Sequence, residues 1–138
     1  MREAILAQPT ARLIVHLGDG ERDVENLVGM SDMVRVVQVR GNADFGSLSP
    51  SAVTELVEGK RVLCVHGYAQ NVKYGDSGLL DAARATNADL VLFGHTHEQR
   101  VDCVDGLWLL NPGCLRHGEY AVADVNANGI VCLPMRLP

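Results

Sequence analysis

Four short apolar runs in this chain each close on a turn that pairs a glycine with a polar side chain able to hold a cation. Residues 12–17 lead to Gly18-Asp19, residues 34–39 to Gly41-Asn42-Ala43-Asp44, residues 61–65 to His66-Gly67, and residues 90–93 to Gly94-His95-Thr96-His97. Continuous apolar runs of this length read as buried strands, and the carboxyl ends of parallel strands gather along one edge of a sheet. Residues far apart in sequence would therefore meet in one crevice. The types are chemically coherent: a carboxylate can bridge two cations, an amide oxygen ligates without adding charge, and neutral imidazoles suit Mn, Fe, Zn, Co or Ni.

Between these runs the signals alternate. Residues 2–7 read as the end of a helix broken by Pro9, and residues 21–30 place Val24, Leu27 and Val28 at helical spacing behind an acidic first turn. Residues 52–57 and 61–66 form a β-hairpin about Glu58-Gly59-Lys60. Residues 77–86 form an amphipathic helix with Ser77 or Asp76 as its cap. The remainder meanders as β-structure: residues 100–104, 107–110, 120–125 and 130–133, with turns at Asp105-Gly106, Asn111-Pro112-Gly113 and Asn128-Gly129. Helices alternating with strands early and hairpins late predict an α/β fold, with two packed mixed β-sheets flanked by helices.

Length and composition bound the function. With 138 residues, 47% of them hydrophobic and 21% charged, the chain suits one compact domain. The net charge of -5 and the lack of a Lys/Arg cluster argue against a general nucleic-acid surface. A small anionic substrate would then need a metal. No apolar run approaches the roughly 20 residues that span a bilayer, and the first residues do not resemble a secretion signal, so the expected location is cytoplasmic. Cys64, Cys103, Cys114 and Cys132 form no Cys-x-x-Cys pair and are expected to be reduced and packed as small apolar groups.

Gly18-Asp19, Gly41-Asn42-Ala43-Asp44, His66-Gly67 and Gly94-His95-Thr96-His97 match, in order, the blocks of the calcineurin-like metallophosphoesterases. The resemblance is closest to the small bacterial and archaeal phosphodiesterase branch, and it runs through Asn111-Pro112-Gly113 nearly to the C-terminus. It implies a metallophosphoesterase-like sandwich and two divalent transition metal ions. Asp19 would bridge them, Asn42, His66 and His95 would complete the second site, and His97 would serve the first. The catalytic candidates are His95 and Asp44, the latter orienting a ligand or assisting proton transfer. The implied activity is hydrolysis of a small phosphorylated or phosphodiester substrate by a metal-bound hydroxide.

Members of that family begin with a strand ending in an Asp-x-His block, and no such block precedes Gly18-Asp19. The resemblance therefore implies a fold lacking its first strand, through a late start or an ancestral truncation, and a first metal held by Asp19 and His97 alone. The alternative function is a catalytically impaired binding or scaffold protein, as in the metallophosphoesterase-like subunit of retromer; a one-metal binding protein is a third. Arg116 and His117 could meet a substrate phosphate or lie on a solvated loop. His16 reads as structural, Asp89 and Glu98 as caps or surface charges, and an oligomer is compatible with all of this.

Overall fold

The computed structural model describes residues 1–27 and 34–138. Among them, helices α1 (Arg2–Leu6), α2 (Glu21–Glu25) and α3 (Ser77–Thr86) are joined by strands β1 (Leu13–His16), β2 (Arg35–Gln38), β3 (Ala52–Val57), β4 (Lys60–Val65), β5 (Leu90–Leu92), β6 (Arg100–Val104), β7 (Leu107–Asn111), β8 (Glu119–Asn126) and β9 (Gly129–Arg136). The helix expected over residues 21–30 is helical as far as Glu25, and residues 28–30 lie outside the described residues. The hairpin between β3 and β4 turns on Glu58 and Gly59, whose φ values of 48° and 81° give the left-handed pair that a tight two-residue turn requires.

The central sheet has the order β3-β4-β5-β7-β6, with β4, β5 and β7 parallel and the two edge strands antiparallel. Strand alternation divides its side chains between two layers. On one face Leu63, Val65, Val91 and Leu109 pack with Leu79 and Ala83, the buried i, i+4 stripe of α3. On the other, Val62, Cys64, Leu90, Leu92 and Leu110 pack with Cys132 of β9 and the half-buried Ala121, Ala123 and Val125 of β8. Each fully buried Leu contributes about 1.5–3 kcal/mol. The result is the expected α/β layering, a mixed sheet between a helical layer and a further sheet. Its second layer consists of the antiparallel pair β8–β9, while β1 and β2 form a separate parallel pair.

Two local expectations are corrected. Neither candidate cap side chain bonds the first turn of α3; Asp76 occupies the N-cap position, but its carboxylate is taken by Arg100 at 2.6 and 2.7 Å. A guanidinium offers two parallel charged donors where a helix N-terminus offers single N–H groups, so the bidentate pair wins. Only two of the four cysteines are core groups: Cys64 and Cys132 are buried, whereas Cys114 is half-buried and Cys103 exposed on an edge strand. Burial, reinforced by Glu55, pushes the Cys64 thiol up to about 12. No helix among the described residues is long and apolar enough to cross a membrane.

Candidate metal centre

The parallel pairs deliver β1, β2, β4 and β5 with their carboxyl ends together, and the residues after them converge as the sequence pattern predicts. His66 is 5% exposed, and its Nε2 lies 2.8 Å from Asn42 Oδ1, 3.1 Å from His95 Nδ1 and 3.2 Å from Asp19 Oδ2. The ligating atoms of Asp19, His66 and His95 all fall within 4.8 Å of one another. His97 is exposed and outside this group.

The protons decide what such a cluster is for. His66 Nδ1 donates to the Leu17 carbonyl at 2.6 Å, so a neutral ring turns an Nε2 lone pair toward the cluster. A carboxylate and an amide oxygen add lone pairs and no protons. Lone pairs aimed at a common point repel one another and are what a cation requires. Size agrees as well: ligands about 2.1 Å from a transition metal stand about 3.0–3.4 Å apart, close to the three separations from His66 Nε2. The donor set therefore fits a divalent transition metal, with the Leu17 carbonyl as the outer partner that fixes the His66 tautomer.

The glycines of the blocks are steric requirements. A Cβ on Gly41 would stand 2.1 Å from Asp19 Oδ1, and one on Gly18, whose φ is +98°, would stand 2.6 Å from Gly41 N and 2.8 Å from His66 Nδ1. Asp19, His95 and His97 all take left-handed φ, at 58°, 70° and 60°. Such conformations cost about 1–2 kcal/mol each outside glycine and persist only where neighbours hold them.

Those neighbours are visible. Asp44 Oδ2 accepts from Asp19 N at 2.7 Å and Gly41 N at 2.9 Å, and its Oδ1 accepts from Gly20 N at 3.0 Å, while Asp19 Oδ1 accepts from Ala43 N at 2.8 Å. Asn111, fully buried, donates to the Gly94 carbonyl and to Thr96 Oγ1, fixing the loop that carries His95. His16 accepts the Gly18 N–H at Nδ1, a local bond within the same turn, and burial lowers its pKa despite the nearby carboxylates. The pKa of His95 is also lowered, by burial first and then by His66 and Lys73, which favours the neutral, ligating form.

Two clefts flank the cluster. One, of about 300 Å³, runs from Asn42 and His95 to Tyr68, Asn71, Lys73 and Tyr74. The other, of about 340 Å³, runs from Asn42 and His66 to Arg40, Ser51 and Gln70. Sequence reasoning missed these walls, although the polar and aromatic residues between His66 and α3 were the available signal. Arg116 and His117 are exposed in a 3-10 turn and line neither cleft.

Layered α/β architecture with a metal-type ligand cluster at parallel strand ends defines a metallophosphoesterase-like protein. The domain of the calcineurin-like phosphoesterase superfamily matches residues 2–128, and the chain belongs to that family. It is 32% identical over 101 residues to Probable metallophosphoesterase MJ0623 of Methanocaldococcus jannaschii, a match covering 73% of this chain and 52% of that protein, so the chain spans about half the relative's length. Among solved structures it is similar to a novel archaeal phosphodiesterase, with a TM-score of 0.71 and 20% identity over 99% of this chain and 90% of the other. It is also similar to wild-type Vps29 of Entamoeba histolytica complexed with Zn2+, with a TM-score of 0.66 and 18% identity over 91% and 82% of the two chains.

Proposed function

We infer that the chain is a metal-dependent phosphoesterase acting on phosphodiesters. The observation that carries this reading is the convergence of Asp19 Oδ2, Asn42 Oδ1, His95 Nδ1 and the His66 Nε2 lone pair on one point beside two clefts. Asp19, Asn42, His66 and His95 would hold one divalent ion, and Asp19 with His97 would serve a second position. When bound, such an ion polarises a phosphoryl oxygen and makes water nucleophilic near neutral pH.

The remaining roles belong to the chain's own groups. The Leu17 carbonyl keeps the proton of His66 on Nδ1, away from the site. Asp44, with its carboxylate bonded to three backbone N–H groups, acts by orienting Asp19 rather than by moving a proton. Lys73 and Arg40, one in each cleft, supply positive charge for a phosphate that the net charge of the chain would otherwise repel. The imidazole-rich donors suit Zn2+, the ion carried by the Vps29 neighbour.

Metal content and hydrolysis of bis(p-nitrophenyl) phosphate, measured for the protein and for His95→Ala, test this reading. Bound metal and turnover are expected for the former, with loss of both in the variant. A protein that takes up no metal would overturn it. The second reading, a scaffold like Vps29, is favoured by Phe45 and Leu48, which are 92% and 99% exposed on the loop after the Asn42 block. Metal binding without hydrolysis would support that reading.

A further inference from the structure

The two clefts share Asn42 and Tyr68, and each also includes one histidine of the cluster, His95 in one and His66 in the other. Tyr68 stands edge-on to His95, with ring centroids 5.4 Å apart and planes at 85°. A phosphate centred at the cluster would thus border both clefts, with Tyr68 in the wall of each. A monoester would fill one cleft at most, whereas a diester has one arm for each.

The cleft on the His95 side has an unusual wall for so small a site. Tyr68 and Tyr74 are 59% and 91% exposed, and Lys73 is the only charged side chain among the residues lining that cleft. The segment bearing them is nonetheless held: Asn71 N donates to Tyr68 O, Val72 N to Gly67 O and Tyr74 N to Asn71 O. Val72 is buried beneath it, in a space where a Cβ on Gly67 would stand 2.9 Å from Val72 Cγ2. The first turn of α3 supports it from behind, since a Cβ on Gly78 would lie 2.1 Å from the Gln70 carbonyl oxygen. Exposed aromatic rings on a fixed backbone, beside a cation, form a stacking platform for a base with charge recognition for its phosphate. The other cleft, with Arg40, Ser51 and Gln70, has no aromatic ring besides the shared Tyr68 and the imidazole of His66, which belongs to the cluster itself.

Resting on the reading of the cluster as a phosphodiester centre, we propose that the Tyr68–Lys73–Tyr74 cleft binds a nucleoside arm of the substrate, with Tyr74 and Lys73 as specificity-determining residues. The second arm lies along the Arg40 side, where polar contacts replace stacking.

Two diesters of equal phosphate charge separate arm recognition from charge: dithymidine monophosphate and dimethyl phosphate. Equilibrium binding of each, followed by NMR titration of the protein, Tyr74→Ala and Lys73→Met, reads the cleft directly. Dithymidine monophosphate is expected to bind at least tenfold more tightly than dimethyl phosphate. Tyr74→Ala should remove about tenfold of that preference, the usual worth of one base–aromatic stack. Lys73→Met should weaken both ligands severalfold. Because Tyr74 and Lys73 are exposed, both variants should keep the wild-type fold, and Tyr74→Ala should also keep the metal content. Equal affinities for the two diesters, or a Tyr74→Ala variant that binds like wild type, overturns the proposal. Hydrolysis of bis(p-nitrophenyl) phosphate without arm discrimination removes this inference and leaves the phosphoesterase reading standing. Discrimination without hydrolysis does the reverse.

Discussion

Asp44 grips the backbone of Asp19 from across the site, its Oδ2 accepting the Asp19 N–H at 2.7 Å while the same oxygen accepts Gly41 N–H at 2.9 Å. Through one carboxylate the β1 and β2 turns are locked to each other, and the left-handed Asp19 is held where its own carboxylate faces His66. The relationship supports the proposed positioning role of Asp44, which can be tested separately from proton transfer.

Asp44→Asn should show that role. Either orientation of the amide places an NH2 against a backbone N–H, because both carboxylate oxygens are used as acceptors. Loss of a charge-assisted set of this kind costs about 1–3 kcal/mol, and outer-partner losses lower metal affinity about 10- to 100-fold. Competition with a chelator at fixed free zinc, alongside a denaturant melt, measures both. Unchanged metal affinity would show that the turn holds itself.

Gly41→Ala should be more damaging than its chemistry suggests. The added Cβ would stand 2.1 Å from Asp19 Oδ1 and 2.4 Å from Asp19 N, so Asp19 must move. Overpacking of this kind costs about 1–3 kcal/mol, and metal affinity should fall with stability. Gly46→Ala is the control: its φ is +72° but nothing lies within 4 Å of the added carbon. It should lose about 1 kcal/mol and retain metal affinity, so equal metal loss in both variants would dismiss the steric account.

How far the sequence could reveal this site follows from what periodicity reports. Apolar runs ending at Gly18, Gly41, His66 and Gly94 place four strand ends, and the parallel pairing brings them together as expected. The 77–86 stripe becomes α3 with its predicted boundaries. Periodicity says which face a residue occupies, but not which distant polar atom it meets. Hence Asp76, whose partner Arg100 lies 24 positions away, reads from sequence as a helix cap, and the Asn111 clamp as a turn. Lys73 and Tyr74 had no periodic pattern to mark them, because a 3-10 turn fixes their wall. Asp44 was singled out by its place in the asparagine block, and its use of three N–H groups depends on backbone geometry that composition does not encode.

The same Asp76–Arg100 pair should give stability a definite pH dependence. The Arg100 hydrogen bonds hold the Asp76 carboxyl below its ordinary value of 3.8. A carboxyl lowered in the folded state contributes stability that is present above the unfolded value and lost as pH falls through the lower folded one. Both side chains are about a third exposed, at 33% and 36%, so solvent screening limits the contribution to about 1 kcal/mol. Urea melts of wild type and Asp76→Asn should differ by that amount near pH 6 and converge as pH falls below 3.8 toward full protonation. A gap that persists in acid would assign the loss to packing instead.

Asn111 offers the strictest test of how the His95 loop is held. Its side chain is fully buried, donates to the Gly94 carbonyl at 3.2 Å and Thr96 Oγ1 at 3.0 Å, and accepts from Gly113 N at 3.0 Å. Asn111→Leu keeps the volume but leaves those partners without this side chain, at about 1–3 kcal/mol for each group left unsatisfied. Asn111→Asp keeps the acceptor for Gly113 but turns an oxygen toward the Gly94 carbonyl. Its buried carboxylate should have a raised pKa, so this variant should gain stability relative to wild type as pH falls and lose it as pH rises through that value. At neutral pH both variants should bind zinc more weakly than wild type, because His95 follows directly on Gly94. Melts at pH 5 and pH 8 with zinc titrations at pH 8 decide the matter: if Asn111→Asp shows no pH dependence beyond wild type, the side chain does not face the Gly94 carbonyl, and if zinc affinity survives in both variants, the loop is fixed by other contacts.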